Sequence, residues 1–184
     1  MRKNILFILI IILFLSNIYL GSDNESKFAQ YDDNIYIDKA LEWEDASIIH
    51  YYLDLIPEWI LNEYDGKIFI TSSLNDMIDY PEKIAGAFEI NSHDIYIDAS
   101  NMDCLLHEMG HFYYHNILDD KNGLSDLLRN EGMDFHHHYR LNENEFFAEC
   151  FRKALLQDED FIINSPMSYA YILRALEGPY FASN

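Results

Sequence analysis

Leu105-Leu106-His107-Glu108-Met109-Gly110-His111 is the stretch on which the reading of this chain turns. Histidines at i and i+4 stand one turn apart on one helix face, so both imidazoles can reach a single metal ion. Zinc bonds neutral imidazole at about 2.0–2.1 Å, and a hydrolytic site takes three protein ligands and keeps one position open. Glu108, next to the first histidine, is then placed to act as general base. Gly110 lies about 60° from His107 around a helix turning ~100° per residue, where a missing side chain permits close packing.

Outward from this helix the pattern is that of an α+β chain, a small sheet first and helices after it. KIFITSS (67–73), GAFEI (86–90) and DIYID (94–98) read as strands, with Asn91-Ser92-His93 as a hairpin turn between the last two. Strand 94–98 leads into the histidine helix, predicted over 101–118, and Ser100 can cap it. Before the sheet, apolar residues recur at helical spacing from Glu44 to Tyr64, with Pro57 as a break. After it, helical patterns are predicted near 123–130, over 142–157 and over 167–176 behind Pro166. Residues 23–43 are polar and acidic and read as a loosely ordered lead-in ending in NIYID (34–38).

The third ligand has to come from another element. Residues 142–152, Asn-Glu-Asn-Glu-Phe-Phe-Ala-Glu-Cys-Phe-Arg, form a carboxylate-rich helix start. Glu145 and Glu149, i and i+4, share a face; one can bind the ion while the other orients a ligand histidine. Phe146, Phe147 and Phe151 give this helix apolar surface to bury.

Composition narrows the remaining classes. The chain has 184 residues, and 49% of them are hydrophobic, which excludes a disordered or collagen-like protein. Its 12 Lys and Arg stand against 32 Asp and Glu, a formal charge of −20. Such a chain has no cationic footprint for nucleic acid, and anionic lipid repels it. MRKN followed by ILFILIIILFLSNIYL (5–20) reads as a secretory signal over 1–22. The uninterrupted apolar run Ile5–Leu15 is shorter than the roughly 20 residues of a spanning helix; a retained N-terminal membrane anchor is the alternative. Cys104 and Cys150 are two buried thiols or a single bridge. His136-His137-His138 reads as an exposed polar loop, not a second metal site.

LLHEMGH (105–111), Glu131-Gly132, the run from Arg140 to Arg152 and NSPMSYAYIL (164–173) together resemble the catalytic domain of the anthrax lethal factor family, which includes the secreted Pro-Pro endopeptidases. The likeness covers roughly residues 44–176 in element order and is motif-specific over 105–173. It implies a zincin-like metallopeptidase domain over 44–184, a gluzincin with one zinc ion on His107, His111 and Glu145. Glu108 would be the base and Glu149 a supporting carboxylate behind the ligands. The family's catalytic tyrosine, seven residues before the glutamate ligand, is replaced here by His138, with Tyr139 one step later; either can donate to the oxyanion. The substrate is expected to lie extended along the strand beginning Gly86-Ala87-Phe88, adding as a β-strand. The expected protein is a secreted, monomeric zinc endopeptidase acting on extracellular or host proteins. Proline-rich or basic-plus-hydrophobic peptides are its two precedents. The rival is a catalytically inactive zinc-binding module that recognises a peptide or receptor; a third reading, a structural acidic protein with an accidental motif, is separated from both by metal analysis.

Overall fold

The computed structural model describes residues 27–42, 47–77, 84–119, 121–132, 135, 139 and 142–178. The signal expected over 1–22 and the histidines at 136–138 lie outside the described residues. The chain is α+β and divides into two units. Among the described residues, 27–42 and 47 group with those of Asp65–Asn101 around a sheet, and Ile48–Tyr64 group with those from Met102 to Gly178 as helices.

Five strands form the sheet: β1 (Phe28–Asp32), β2 (Ile35–Asp38), β3 (Ile68–Thr71), β4 (Gly86–Phe88) and β5 (Ile95–Asp98). Their spatial order is β1-β2-β3-β5-β4. The inner pairs β2–β3 and β3–β5 are parallel, and the outer pairs β1–β2 and β4–β5 antiparallel. IYID, IFIT and IYID, the three inner strands, explain this arrangement. Their register aligns Ile35 with Ile68 and Ile95, and Ile37 with Ile70 and Ile97. Since side chains alternate along a strand, the isoleucines fill one face and are all buried. Tyr36, Phe69 and Tyr96 fill the other, their rings stacked at centroid distances of 5.2 and 4.9 Å. Leu74, on a one-turn helix α3 (Leu74–Met77), packs against Tyr96.

The loose lead-in expected before residue 44 is corrected here: from Phe28 it is the β1–β2 hairpin, and β2 lies inside the sheet. Its alternation was visible in NIYID, but the pairing partner that orders it, Ile68, is far along the chain. Asp38 closes β2 as a buried carboxylate. It accepts from Thr71 Oγ1 at 2.9 Å and from Ala40 N at 3.0 Å, and pairs with Lys27 Nζ at 3.1 Å. Burial alone would raise its pKa, but these partners outweigh it and hold the carboxyl below its usual value. The strand expected over 86–90 ends at Phe88, because the Glu89 carboxylate turns back to accept from Ser92 N and Asn91 Nδ2.

The helical unit begins with α1 (Ile48–Asp54) and α2 (Glu58–Glu63), separated at Pro57 as the sequence suggests. It continues with α4 (Cys104–Asn116), α5 (Leu124–Glu131), α6 (Glu143–Leu155), α7 (Glu159–Asn164) and α8 (Pro166–Leu176). Of these only α7 has no counterpart in the sequence reading. Residues 105–113 of α4 are all buried, so over that stretch the helix turns no face to solvent. Gly110 lets α6 come against it: a Cβ at that position would stand 2.8 Å from Ala148 Cα. The buried Glu131 carboxylate ties α5 to the start of α8, accepting from Ser168 N at 2.7 Å, Ser168 Oγ at 2.6 Å and Met167 N at 3.1 Å. The far end of α8 is held by Tyr113 Oη and Trp59 Nε1, which donate to the carbonyls of Ala175 and Leu176. Among the described residues no helix is long and apolar enough to cross a membrane.

Candidate metal centre

His107 and His111 face α6 from successive turns of α4, with ring centroids 4.8 Å apart. Glu145 comes from the first turn of α6. That turn is set by Asn142, whose side chain accepts from the Glu145 backbone N–H at 2.9 Å. An Asn cap with Glu three residues on is a common helix-start signal, and here it delivers the third side chain. Glu145 Oε2 lies 3.4 Å from His107 Nε2, and Oε1 lies 3.7 Å from His111 Nε2. One ligand atom from each of the three residues falls within 4.8 Å of the others.

This donor set could hold a metal ion. Two ligands of a tetrahedral ion with bonds near 2.0–2.1 Å stand about 3.3–3.4 Å apart, close to the two His–Glu separations. The orientation of each imidazole also fits. His111 Nδ1–H donates to Asn144 Oδ1 at 2.7 Å, which leaves the Nε2 lone pair facing Glu145. His107 Nδ1 is buried and has no well-aligned hydrogen bond among the described residues; the Glu149 carboxylate stands 3.4 Å behind it. Metal-bound histidines commonly turn the second ring nitrogen toward a carboxylate or carbonyl in this way.

Without an ion the two imidazoles titrate against each other. Burial pushes His107 down, but Glu145, Glu149 and the charge of Glu108 overcome this and raise it well above its ordinary value. Burial and the neighbouring His107 charge lower His111. A cation placed among these residues would therefore take the position that the proton holds.

Glu108 is buried, 6% exposed, on the same helix. Tyr139 lies with its ring centroid 5.4 Å from that of His107. Burial, followed by the Glu149 charge, raises its phenol to about 12, so the hydroxyl keeps its proton near neutrality. His138, the other donor considered, is outside the described residues. Gly86, Ala87 and Phe88 form β4, an outer strand of the sheet.

One expectation about the approach to the histidine helix is revised. Ser100 does not cap α4: it sits in a 3-10 turn, Ala99–Asn101, where its N–H and hydroxyl bond Asp98, and Asp103 is the residue before the helix. Of the two readings of Cys104 and Cys150, the structure has the thiols: both are free, Cys150 buried and Cys104 half-buried. His115, on the last turn of α4, is exposed and does not belong to the metal group. Asn144 and Arg152 were missed. Asn144 adjoins the ligand, but only its contact with His111 reveals a role. Arg152 reads as a surface cation until its partners are known.

No family model matches the chain, and no curated protein matches it.

Proposed function

We propose that this chain is a secreted zinc-dependent endopeptidase of zincin-like fold, the gluzincin that its motifs resemble. The observation that carries this reading is the convergence of His107, His111 and Glu145, with the acid Glu108 on the same helix turn as the first histidine. Two imidazoles and one carboxylate are the donor set of catalytic zinc sites that leave a coordination position open.

Zinc held there would supply the Lewis acidity that polarises a peptide carbonyl and makes water nucleophilic near neutral pH. Glu108 takes the proton of the attacking water and passes it to the departing amine. Tyr139 Oη donates a hydrogen bond to the oxygen that becomes negative as the carbonyl is attacked. Asn144 keeps the Nε2 lone pair of His111 available. Among the described residues β4 is an outer strand of the sheet, an edge of the kind to which an extended peptide adds through backbone hydrogen bonds. The acidity of the chain favours substrates with Lys or Arg near the cut.

The test is metal analysis of the purified protein, followed by digestion of a diverse peptide library read by mass spectrometry. About one zinc per chain and a consistent set of internal cuts are expected. Glu108→Ala should retain zinc and lose cleavage by at least about 100-fold, the low end of what a general base contributes. A wild-type protein that binds no zinc overturns the reading. One that binds zinc and cuts nothing leaves a non-catalytic recognition module.

A further inference from the structure

Glu145 and Glu149 pose a problem that their spacing does not solve. They stand one turn apart on the same face of α6, and each brings an oxygen to 3.4 Å from the His107 ring, Glu145 at Nε2 and Glu149 at Nδ1. Alike in spacing, they have different tasks: Glu145 stands at the nitrogen that faces the candidate ion, Glu149 at the nitrogen turned away from it.

Arg152 separates their roles. Its Nε and Nη2 donate to Glu149 Oε2 and Oε1 at 2.9 and 2.7 Å, which engages both oxygens of that carboxylate. Its remaining arm, Nη1, donates to Asp103 Oδ2 at 2.6 Å. Asp103, the residue before α4, precedes His107 by four positions, and Glu149 follows Glu145 by one turn on α6. The planar guanidinium thus joins the two ligand-bearing helices one turn behind the centre. Its fixed fork of donors meets a carboxylate in two-point geometry, which a lysine ammonium does not reproduce.

We propose that Arg152 is a positioning residue for the metal centre. It holds Glu149 as the acceptor behind His107 Nδ1 and so fixes that ring with Nε2 toward Glu145. The proposal rests on His107, His111 and Glu145 being the ligands, and is independent of whether the centre cuts peptides.

The experiment measures zinc affinity by competition with a chromophoric chelator, and the visible spectrum of the cobalt-substituted protein, in wild type and in Arg152→Met, Arg152→Lys, Asp103→Asn, Glu149→Gln and the double variant Glu149→Gln/Arg152→Met. His111→Ala establishes the ligand reading first: wild type must bind zinc and this variant must not. Arg152→Met is expected to weaken zinc binding by about 10–100-fold, the range for losing an outer partner of a ligand. With Glu149 no longer held, the His107 ring should lose its fixed orientation and the cobalt spectrum should change. Arg152→Lys should fail to rescue, and Asp103→Asn, which keeps the fork on Glu149, should lose several-fold. In the Glu149→Gln background the Arg152 effect should vanish, as it does for residues acting through one another. A purely structural arginine would weaken both backgrounds equally and leave the cobalt spectrum unchanged, and that result overturns the proposal. Arg152→Lys and Asp103→Asn keep the question decidable should Arg152→Met not fold; wild-type zinc affinity in both refutes it.

Discussion

Replacing Gly110 by Ala tests whether helix packing sets the geometry of the metal centre. The added Cβ would lie 2.8 Å from Ala148 Cα, 3.1 Å from Ala148 O and 3.2 Å from Phe151 Cβ. Carbon atoms in contact prefer about 3.5–4.0 Å, so α4 and α6 must separate by roughly 0.7–1 Å there. Two of the three close atoms are backbone, and no rotamer change relieves them. Overpacking of this kind costs about 1–3 kcal/mol, while alanine in place of glycine within a helix returns about 1 kcal/mol. The net loss of metal-free stability is therefore small, about 0–2 kcal/mol. The site should suffer more. Gly110 lies between the two ligand histidines and Ala148 three residues after Glu145, so the same displacement is applied across the 3.4 Å gap between His107 Nε2 and Glu145 Oε2. Metal–ligand distances tolerate about 0.2 Å. Zinc affinity should fall by at least about tenfold, corresponding to about 1.4 kcal/mol. Urea unfolding of the metal-free protein gives the first quantity and chelator competition the second. A Gly110→Ala protein that binds zinc as wild type does would refute the claim that this contact governs the site.

Tyr139→Phe removes the phenol beside His107 and should lower kcat by about 100- to 1000-fold at nearly constant KM, as loss of an oxyanion donor does; steady-state kinetics on a cleaved library peptide checks it. Glu131→Ala strips the acceptor from Ser168 N, Ser168 Oγ and Met167 N at the start of α8. Leaving such groups buried and unpaired costs about 1–3 kcal/mol each at most, and the urea midpoint should drop by a corresponding amount with zinc stoichiometry unchanged. Asp38 supplies the pH test. Its folded pKa lies below the unfolded value, so its contribution is complete above the ordinary carboxylate range and fades as pH falls through the folded pKa. Asp38→Asn should cost about 1.5–3 kcal/mol at pH 7, the range for hydrogen bonds to a charged group. The difference from wild type should shrink toward pH 2–3 in urea titrations, and a pH-independent difference would contradict it.

What was legible in the chain followed from contacts between near neighbours. His107 and His111 meet because four residues make one helical turn, and Pro57 breaks a helix through its own ring. The alternation of the isoleucines with Tyr36, Phe69 and Tyr96 was equally local, and it was read correctly for β3 and β5. The same alternation in β2 lies within an acidic stretch that reads as a loose lead-in, and the strand that orders it begins only at Ile68. Strand order is decided by hydrogen bonding between segments distant along the chain, and a period of two does not specify which segments pair. Arg152 illustrates the limit within the site itself. In the last turn of an amphipathic helix a cation is favoured by the helix dipole alone, and that sufficient local reason conceals a second one. Its partner Asp103 is 49 positions away, so no spacing rule relates them. The division of labour between Glu145 and Glu149 has the same origin. Each is a carboxylate on one face of α6, and they differ in which nitrogen of His107 they face and in the guanidinium that grips only Glu149.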